Sequence, residues 1–145
     1  MIYSPTCQQA LRALIYLASH EGKGPIQVRE VAEAEGIPRP FLSKILHMLR
    51  TRDLVRSTKG PGGGYELSRP AVEISVGDVM HAVDGVIDMK NVCILGLDRC
   101  SDDASCALHD QWKSFRLLFE QTIARLSLKE ASGILAAKRR VHVEV

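Results

Sequence analysis

Three of the four cysteines in this chain lie close together, in the segment CILGLDRCSDDASCALH. Cys93, Cys100 and Cys106 are followed by His109, three residues after the last of them. Thiolates are the usual ligands of iron–sulfur clusters, and three of them leave one position for a weaker ligand. Three cysteines and one histidine also satisfy tetrahedral zinc, although zinc sites favour shorter gaps. The segment is therefore predicted to be a metal or redox site.

The roles of the clustered cysteines with His109, and the role of Cys7, stay open at this point. Cys106 and His109 are three residues apart at the start of a predicted helix, so both can face one metal centre. The alternative is a loop of free thiols, with His109 as a surface or capping residue. The fourth cysteine, Cys7, is interpreted as a small buried residue of the first helix, and as a substitute thiolate ligand in the alternative.

Length and composition indicate one globular domain. The chain has 145 residues, of which 46% are hydrophobic and 25% charged. Its apolar runs fall short of the roughly 20 residues of a membrane span. The opening MIYSPTCQQA lacks the basic-then-apolar order of a signal peptide. We therefore expect a cytoplasmic protein without membrane contact, where clustered cysteines indicate metal or redox chemistry more often than disulfides.

Charge is distributed unevenly along the chain. Residues 37–70 carry seven basic and two acidic groups, whereas residues 71–110 carry two basic and eight acidic groups. Lysines and arginines that neutralise phosphates release counterions, so the basic segment suits a DNA-facing surface. The acidic segment contains the cysteines, and the two segments are expected to have different functions.

The first half of the sequence has helical periodicity. Helices are predicted from residue 5 to about 22, over 27–35 and over 39–52. Gly36 can take the positive φ of a helix C-terminus, and Pro38 cannot continue the preceding helix. The inward residues of the third helix are predicted to be Leu42, Ile45, Leu46 and Leu49, and the outward ones Arg39, Ser43, Lys44, His47 and Arg50. This is a helix-turn-helix pattern, whose second helix can enter a major groove.

A β-hairpin with a glycine-rich tip follows in LVRSTKGPGGGYELS. Strands are predicted at 54–58 and 65–68. A hairpin directly after a helix-turn-helix is a wing, which contacts phosphates or the minor groove. A nucleotide-binding phosphate loop is disfavoured, because the lysine, the hydroxyl and the helix that follow such a loop are missing. The wing residues predicted to face DNA are Arg56, Lys59, Gly60, Gly62, Gly63 and Gly64.

The second half is predicted to hold a long helix. Ser75 is expected to cap a short helix over 76–83, after which periodicity is lost. A helix from about Ala104 past Leu126 would exceed about 30 Å. Its apolar stripe is too long for a small winged domain to cover, so a second copy of the chain is the expected partner. A last short helix is predicted from Ser127 to about Ala137, before a charged tail.

The helix-turn-helix, GPGGGYELS, the acidic linker and the C…C…C-x-x-H pattern before a helix with Trp112 resemble the Rrf family of winged-helix transcription regulators, the group with IscR and NsrR. The resemblance covers about residues 3–131. It implies a homodimer that binds promoter DNA, with an iron–sulfur cluster that senses redox state, iron or nitric oxide and changes DNA affinity. It also implies that Cys93, Cys100 and Cys106 are cluster ligands, with His109 where [2Fe-2S] members place a histidine. The recognition-helix positions that the resemblance assigns to DNA are Arg39, Pro40, Phe41, Ser43 and Lys44.

The sequence departs from the family pattern at two positions. Six residues separate Cys93 from Cys100, one more than in familiar members, and Gln8 stands where NsrR-like members offer an aspartate. The expected cofactor is a [2Fe-2S] cluster, with [4Fe-4S] as the alternative. The alternative function is a winged-helix regulator switched by thiols or zinc.

An enzyme or electron carrier is not expected, because the cysteines lack an evident base and orienting partner and the basic wing would be unexplained. The predicted fold is mainly α with a small β-wing. It divides into a winged helix-turn-helix at 1–84, a cysteine loop at 85–104, and a long dimerisation helix with a short helix and tail at 105–145. A dimer would present two recognition helices to a palindromic promoter site.

Overall fold

The computed structural model describes residues 3–85 and 92–143, with side chains through residue 138. Its helices are α1 (Pro5–Ser19), α2 (Val28–Glu35), α3 (Arg39–Thr51), α4 (Val76–Asp84), α5 (His109–Gln121) and α6 (Leu128–Val143). Strands β1 (Val55–Thr58) and β2 (Gly64–Leu67) form an antiparallel hairpin, and single 3-10 turns lie at Ala71–Glu73 and Ile123–Arg125. The mainly helical architecture with a two-stranded wing agrees with the predicted fold. In the described ranges, none of the helices is long and apolar enough to cross a membrane.

Helix α1 lies at the centre of the fold. The Ser4 hydroxyl accepts a hydrogen bond from the Cys7 backbone N–H at 3.0 Å, and Pro5 occupies the first turn, as the sequence predicts. The helix packs against α2, α3, α4, α6 and β2. Its buried residues are Cys7, Ala10, Leu11, Ala13, Leu14, Leu17 and Ala18. Cys7 is fully buried, and its burial together with the charge of Asp84 raises the pKa of its thiol to about 12. Cys7 is therefore the core residue that was predicted.

The helix-turn-helix is tied to α1 through its turn. Gly36 ends α2 in the left-handed conformation, with φ 62° and ψ 36°. Glu35, only 2% exposed, accepts a hydrogen bond from the Nε of Arg12 at 3.3 Å, and its carbonyl accepts from the same guanidinium. This pairing offsets the cost of burying the carboxylate. The inward residues of α3 are those predicted from periodicity: Leu42, Ile45, Leu46 and Leu49.

The start of strand β2 of the wing is bound to the connection between α1 and α2. Ile26 and Tyr65 exchange two backbone hydrogen bonds of 2.8 Å. Gly64 has φ 149°, and a Cβ atom there would lie 2.2 Å from the carbonyl oxygen of Ile26. A Cβ atom on Gly63 would lie 2.2 Å from the carbonyl oxygen of Thr58. These two glycines therefore allow the close backbone approach that holds the hairpin in place.

The C-terminal part is joined to the winged part by a short backbone pairing. Two hydrogen bonds of 2.8 Å connect residues 74–76 with residues 126–128. Beside them, a Cβ atom on Gly77 would lie 2.8 Å from the carbonyl oxygen of Ala124. Ser75 caps α4 in a capping box with Asp78, which confirms the predicted cap. We call residues 74–77 together with 124–128 the joint.

The predicted start of the long helix at Ala104 is wrong, because α5 begins at His109. Ser101 and Ala104 instead exchange backbone hydrogen bonds of 3.1 and 3.3 Å across a tight turn. The Ser101 hydroxyl also accepts from the Ala104 N–H at 3.2 Å. Serine and aspartate stabilise turns through such local bonds, and two aspartates lie inside this one. The helical periodicity of the sequence therefore extends over a segment whose backbone is folded as a turn.

The predicted end of that helix past Leu126 is also wrong. Helix α5 ends at Gln121 after 13 residues, about 20 Å at the usual rise. Thr122 leaves the helical region with ψ −84°, and its hydroxyl donates to the Leu118 carbonyl at 2.6 Å. A β-branched residue with such a bond disfavours continuation of the helix.

The last helix is longer than the predicted limit at Ala137, and α6 continues to Val143. Its added residues include no proline or glycine, and lysine and arginine favour helices. The predicted charged tail is thus mostly helical, and residues 144 and 145 lie outside the described residues. Residues 86–91 of the predicted irregular segment also lie outside them.

We expect Gly64→Ala to destabilise the fold by about 1–3 kcal/mol, because the new methyl group collides with the Ile26 carbonyl in a backbone conformation that alanine avoids. Gly22→Ala is the matched control, since Gly22 also has a positive φ, 81°, but open space around it. Urea unfolding of both variants measures the difference. Equal losses of stability would show that the contact at Gly64 has no cost of its own.

Ser127 and Glu130 form a capping box that makes the stability of α6 pH-dependent. The backbone N–H and then the hydroxyl of Ser127 donate to the Glu130 carboxylate at 2.9 and 2.7 Å and lower its pKa. A depressed pKa stabilises the fold above the unfolded-state pKa, and this stabilisation is lost as pH falls through the folded-state pKa. We expect the wild type to exceed Glu130→Gln in free energy of unfolding at about pH 7, with the difference shrinking below about pH 4.5. A constant difference would contradict this.

Candidate metal centre and nucleic-acid interface

The three clustered cysteines meet in space. The Sγ atoms of Cys93, Cys100 and Cys106 all lie within 4.8 Å of one another. Cys93 and Cys100 are each 4% exposed, and Cys106 is half-buried. The irregular backbone from 92 to 108 brings them together, with a turn at Gly96, where φ is 74°. All three are free thiols. We call these three residues the cysteine site.

His109 lies at the edge of the cysteine site. Its Nδ1 atom is 2.9 Å from the Sγ atom of Cys100, and the residue is 6% exposed. The group of atoms that all lie within 4.8 Å of one another contains the three sulfur atoms and does not include the imidazole of His109. As the first residue of α5, His109 is positioned by the helix, whereas the cysteines are positioned by the loop. The structure thus places all four predicted ligands in one region, with the histidine against one cysteine.

The thiols of the cysteine site differ in acidity. The backbone N–H of Cys106, followed by His109, lowers the pKa of Cys100 to about 7. The Leu108 N–H acts in the same direction on Cys106, but burial and hydrogen bonds to Cys100 and Cys93 outweigh it and raise the pKa of Cys106. Because donors near a thiol favour its thiolate, Cys100 is the more acidic of these two.

A carboxylate and an ammonium group continue this network away from the sulfur atoms. The Nε2 atom of His109 is 2.9 Å from Oδ1 of Asp102. Lys113 Nζ donates to both carboxylate oxygens of Asp102 at 2.8 Å. Lys113, and then His109, lower the pKa of Asp102 to about 2. Asp102, and then Cys100, raise the pKa of His109.

Trp112 connects the cysteine loop to α5. Its indole N–H donates to the carbonyl of Val92, the residue before Cys93, at 3.0 Å. Its ring stacks on Phe115, which stacks on the buried Phe119, with centroids 5.7 and 6.5 Å apart. An open apolar cavity of about 400 Å³ lies beside it, lined by Ile94, Leu108, Gln111, Trp112 and Phe115. The exposed apolar residues of this region include Leu108, Phe115, Leu117, Leu118 and Ile123.

The residues predicted to face DNA are mostly accessible. Arg39, Pro40, Phe41 and Lys44 of α3 and Arg56, Lys59, Gly60 and Gly62 of the wing are exposed, whereas Ser43 and Gly64 are half-buried and Gly63 is buried. Arg56 donates to the cross-strand Glu66 at 2.9 Å, so part of its charge is already paired. Gly63 lies close to the backbone of Thr58 within the hairpin, and Gly64 lies close to the backbone of Ile26.

Comparison with known proteins identifies the family. Residues 3–132 match the Rrf2 family, described as "Iron-dependent Transcriptional regulator". The chain belongs to the Rrf2 family. The Rrf2 family consists of DNA-binding transcription regulators and not of enzymes.

Individual Rrf2 relatives support the assignment and the fold. The HTH-type transcriptional regulator IscR of Sodalis glossinidius is 34% identical over 83% of this chain and 72% of its own length. IscR from T. potens has a TM-score of 0.71 at 26% identity, covering 88% of this chain and 83% of that one. CymR, the global cysteine regulator of B. subtilis, has a TM-score of 0.77 at 23% identity, and the match covers 90% of this chain and 95% of that chain. The oxidised form of Staphylococcus aureus CymR has a TM-score of 0.70 at 28% identity, and the match covers 91% of this chain and 96% of that chain. These likenesses confirm the predicted winged-helix fold.

Sequence reasoning missed Asp102, Lys113 and the bond from Trp112 to Val92. In the sequence, Asp102 is one of several acidic residues of its segment, and Lys113 follows it by 11 positions. The available signal was the i, i+4 spacing of His109 and Lys113, which places them on one face of a helix. Their common partner Asp102 depends on the turn at 101–104, which periodicity did not reveal.

We expect Lys44→Gln to weaken binding to any DNA sequence and to reduce the slope of log affinity against log salt by about 0.9, the contribution of one phosphate contact. Lys129→Gln is the matched control, because Lys129 is an exposed lysine on α6, outside the helix-turn-helix and wing. Fluorescence anisotropy titrations at several salt concentrations measure both quantities. An unchanged slope for Lys44→Gln, or an equal change for the control, would contradict a phosphate contact at Lys44.

Proposed function

We propose that this Rrf2 protein is a homodimeric cytoplasmic regulator whose affinity for promoter DNA is controlled by an iron–sulfur cluster, with [2Fe-2S] as the preferred type. The observation that carries the proposal is the meeting of three sulfur atoms within 4.8 Å, two of them on buried residues. The description of the family as iron-dependent and the IscR relatives support it.

The donor set of the site suits such a cluster. Cys93, Cys100 and Cys106 would hold it, and Nδ1 of His109 is the nearby nitrogen donor for the remaining position. Sulfur and imidazole are ligands for soft or intermediate metals, and thiolates are the usual ligands of iron–sulfur clusters. When bound, such a group supplies one-electron redox chemistry and sensitivity to oxygen or nitric oxide. A set with only three cysteines favours a labile cluster, as a sensor requires.

The fold provides a continuous connection from the cysteine site to the winged domain. Trp112 binds the backbone just before Cys93, so a displacement of the loop acts on α5. Helix α5 leads into the joint, where backbone hydrogen bonds and the close approach of Ala124 to Gly77 connect it to α4. A change of DNA affinity by 5- to 150-fold needs a coupling free energy of only about 1–3 kcal/mol.

The exposed face of α5 is the proposed dimer surface. Leu117 and Leu118 of α5 are 49% and 60% exposed, and Ile123, in the 3-10 turn that follows, is 50% exposed. Large apolar side chains exposed close together in sequence are expected at an interaction site. A second copy of α5 would cover it in a two-fold arrangement and would present two copies of α3 to a palindromic promoter site.

A thiol switch or a zinc site is the second candidate. The same three free thiols lie close enough for a disulfide to form after a small movement, and hydrogen bonds from the Cys106 backbone and His109 lower the pKa of Cys100 to about 7. Three cysteines and a histidine also match a tetrahedral zinc site. An oxidised form is known for a CymR neighbour, although at 28% identity.

Protein purified without oxygen is expected to absorb broadly in the visible range and to contain iron and sulfide in equal amounts. Cys100→Ala should lose both, because it removes one of three thiolates, whereas Cys7→Ala should keep both, because Cys7 lies in the core. Loss of the cluster should change promoter affinity about 5- to 150-fold. Absorption spectra, metal and sulfide analysis, and DNA titrations with and without the cluster are the measurements.

Other outcomes would contradict the cluster proposal. Colourless protein with one zinc ion per chain would favour the zinc site. Protein without metal, whose DNA affinity changes on formation of a disulfide, would favour the thiol switch. A cluster whose loss leaves DNA affinity unchanged would contradict its control of DNA binding.

A further inference from the structure

Both ring nitrogens of His109 have a partner. Nδ1 lies 2.9 Å from the Sγ atom of Cys100, and Nε2 lies 2.9 Å from a carboxylate oxygen of Asp102. An ionised carboxylate can only accept hydrogen bonds, so Nε2 carries a hydrogen in this arrangement. In the neutral ring, the lone pair is then on Nδ1, on the side of the cysteine site. Of the two neutral forms of the ring, the carboxylate therefore selects the one that can bind a metal there.

Asp102 is in turn held by α5. Lys113 Nζ donates to both oxygens of Asp102 at 2.8 Å. His109 and Lys113 are four residues apart, so one face of α5 presents both groups to the turn at 101–104. The side chain of Asp102 is 71% exposed, and exposed ion pairs add little to stability. The expected effect of this network is on the orientation of the ring, not on the stability of the fold.

We propose that Asp102 is a positioning residue for His109 as a cluster ligand, and that Lys113 holds Asp102 in place. A carboxylate on the outer nitrogen of a ligating histidine fixes the ring and makes its other nitrogen a stronger donor. Asp102 thereby slows the loss of the cluster. This inference rests on the proposed function, because it concerns the lifetime of the proposed cluster.

The turn contains its own control. Asp103 is the next residue, carries the same charge and is exposed. Asp102→Ala and Asp103→Ala therefore remove the same charge from the same turn, but only the first removes the partner of His109. Effects of net charge or of turn stability would appear in both variants.

The test measures the rate of iron release to a chelator, without oxygen, from protein loaded with iron and sulfide. Asp102→Ala should release iron about 10- to 100-fold faster than the wild type, because removal of such a partner usually lowers metal affinity by that factor. Its visible spectrum should shift toward that of His109→Ala. Asp103→Ala should match the wild type in both measurements. Lys113→Met should also increase the rate of iron release, by a smaller factor than Asp102→Ala.

A double-mutant cycle shows whether Asp102 acts through His109. In the His109→Ala background, Asp102→Ala should leave the rate of iron release unchanged. The proposal is overturned if Asp102→Ala releases iron like the wild type, if Asp103→Ala has an equal effect, or if the effect of Asp102→Ala persists without His109. A wild-type chain that takes up no iron and sulfide would overturn the proposed function and this inference together. A stable cluster that is insensitive to Asp102 would overturn this inference alone.

Discussion

The close packing of the other elements around α1 is the constraint on which the rest of the structure depends. Ala10 and Ala13 have no exposed surface, and small side chains at such positions let neighbouring helices approach. Helices α2 and α3 of the DNA-binding motif contact α1, and so do α4 and α6. The recognition helix and the C-terminal helices are thus positioned against one common element. A larger side chain at either alanine would overpack this shared core, around which the different functional parts of the molecule meet.

The elements predicted well are those whose limits depend on local chemistry. Ser4 caps α1, Gly36 ends α2 with a positive φ, and Ser75 caps α4, and each of these signals acts within a few residues. The start of α5 could not be predicted in the same way. Leu108 and Trp112 continue a helical spacing, but the backbone before His109 is set by the turn at 101–104 and by the convergence of the cysteines. Periodicity describes which side chains share a face only where the backbone is already helical.

The same distinction applies to the candidate site. Residue types and spacing were enough to select Cys93, Cys100, Cys106 and His109 as one group, and the structure brings these side chains into one region. The relation of His109 to a carboxylate could not be predicted, because two aspartates in one turn look alike in sequence. Only the folded turn shows which of them faces the imidazole. Spacing can therefore indicate which residues hold a metal, whereas the residues that orient the ligands are found from tertiary structure.

The position of Trp112 has an optical consequence. It is the one tryptophan in the sequence, its indole N–H binds the backbone next to Cys93, and its ring stacks on Phe115. Indole emission responds to hydrogen bonding and polarity at the ring, and a nearby chromophore that absorbs at its emission wavelength quenches it. The tryptophan emission of the protein therefore originates beside the cysteine loop. The chain thus has a built-in, label-free reporter of the arrangement of that loop. Rearrangements confined to the recognition helix would change its emission little.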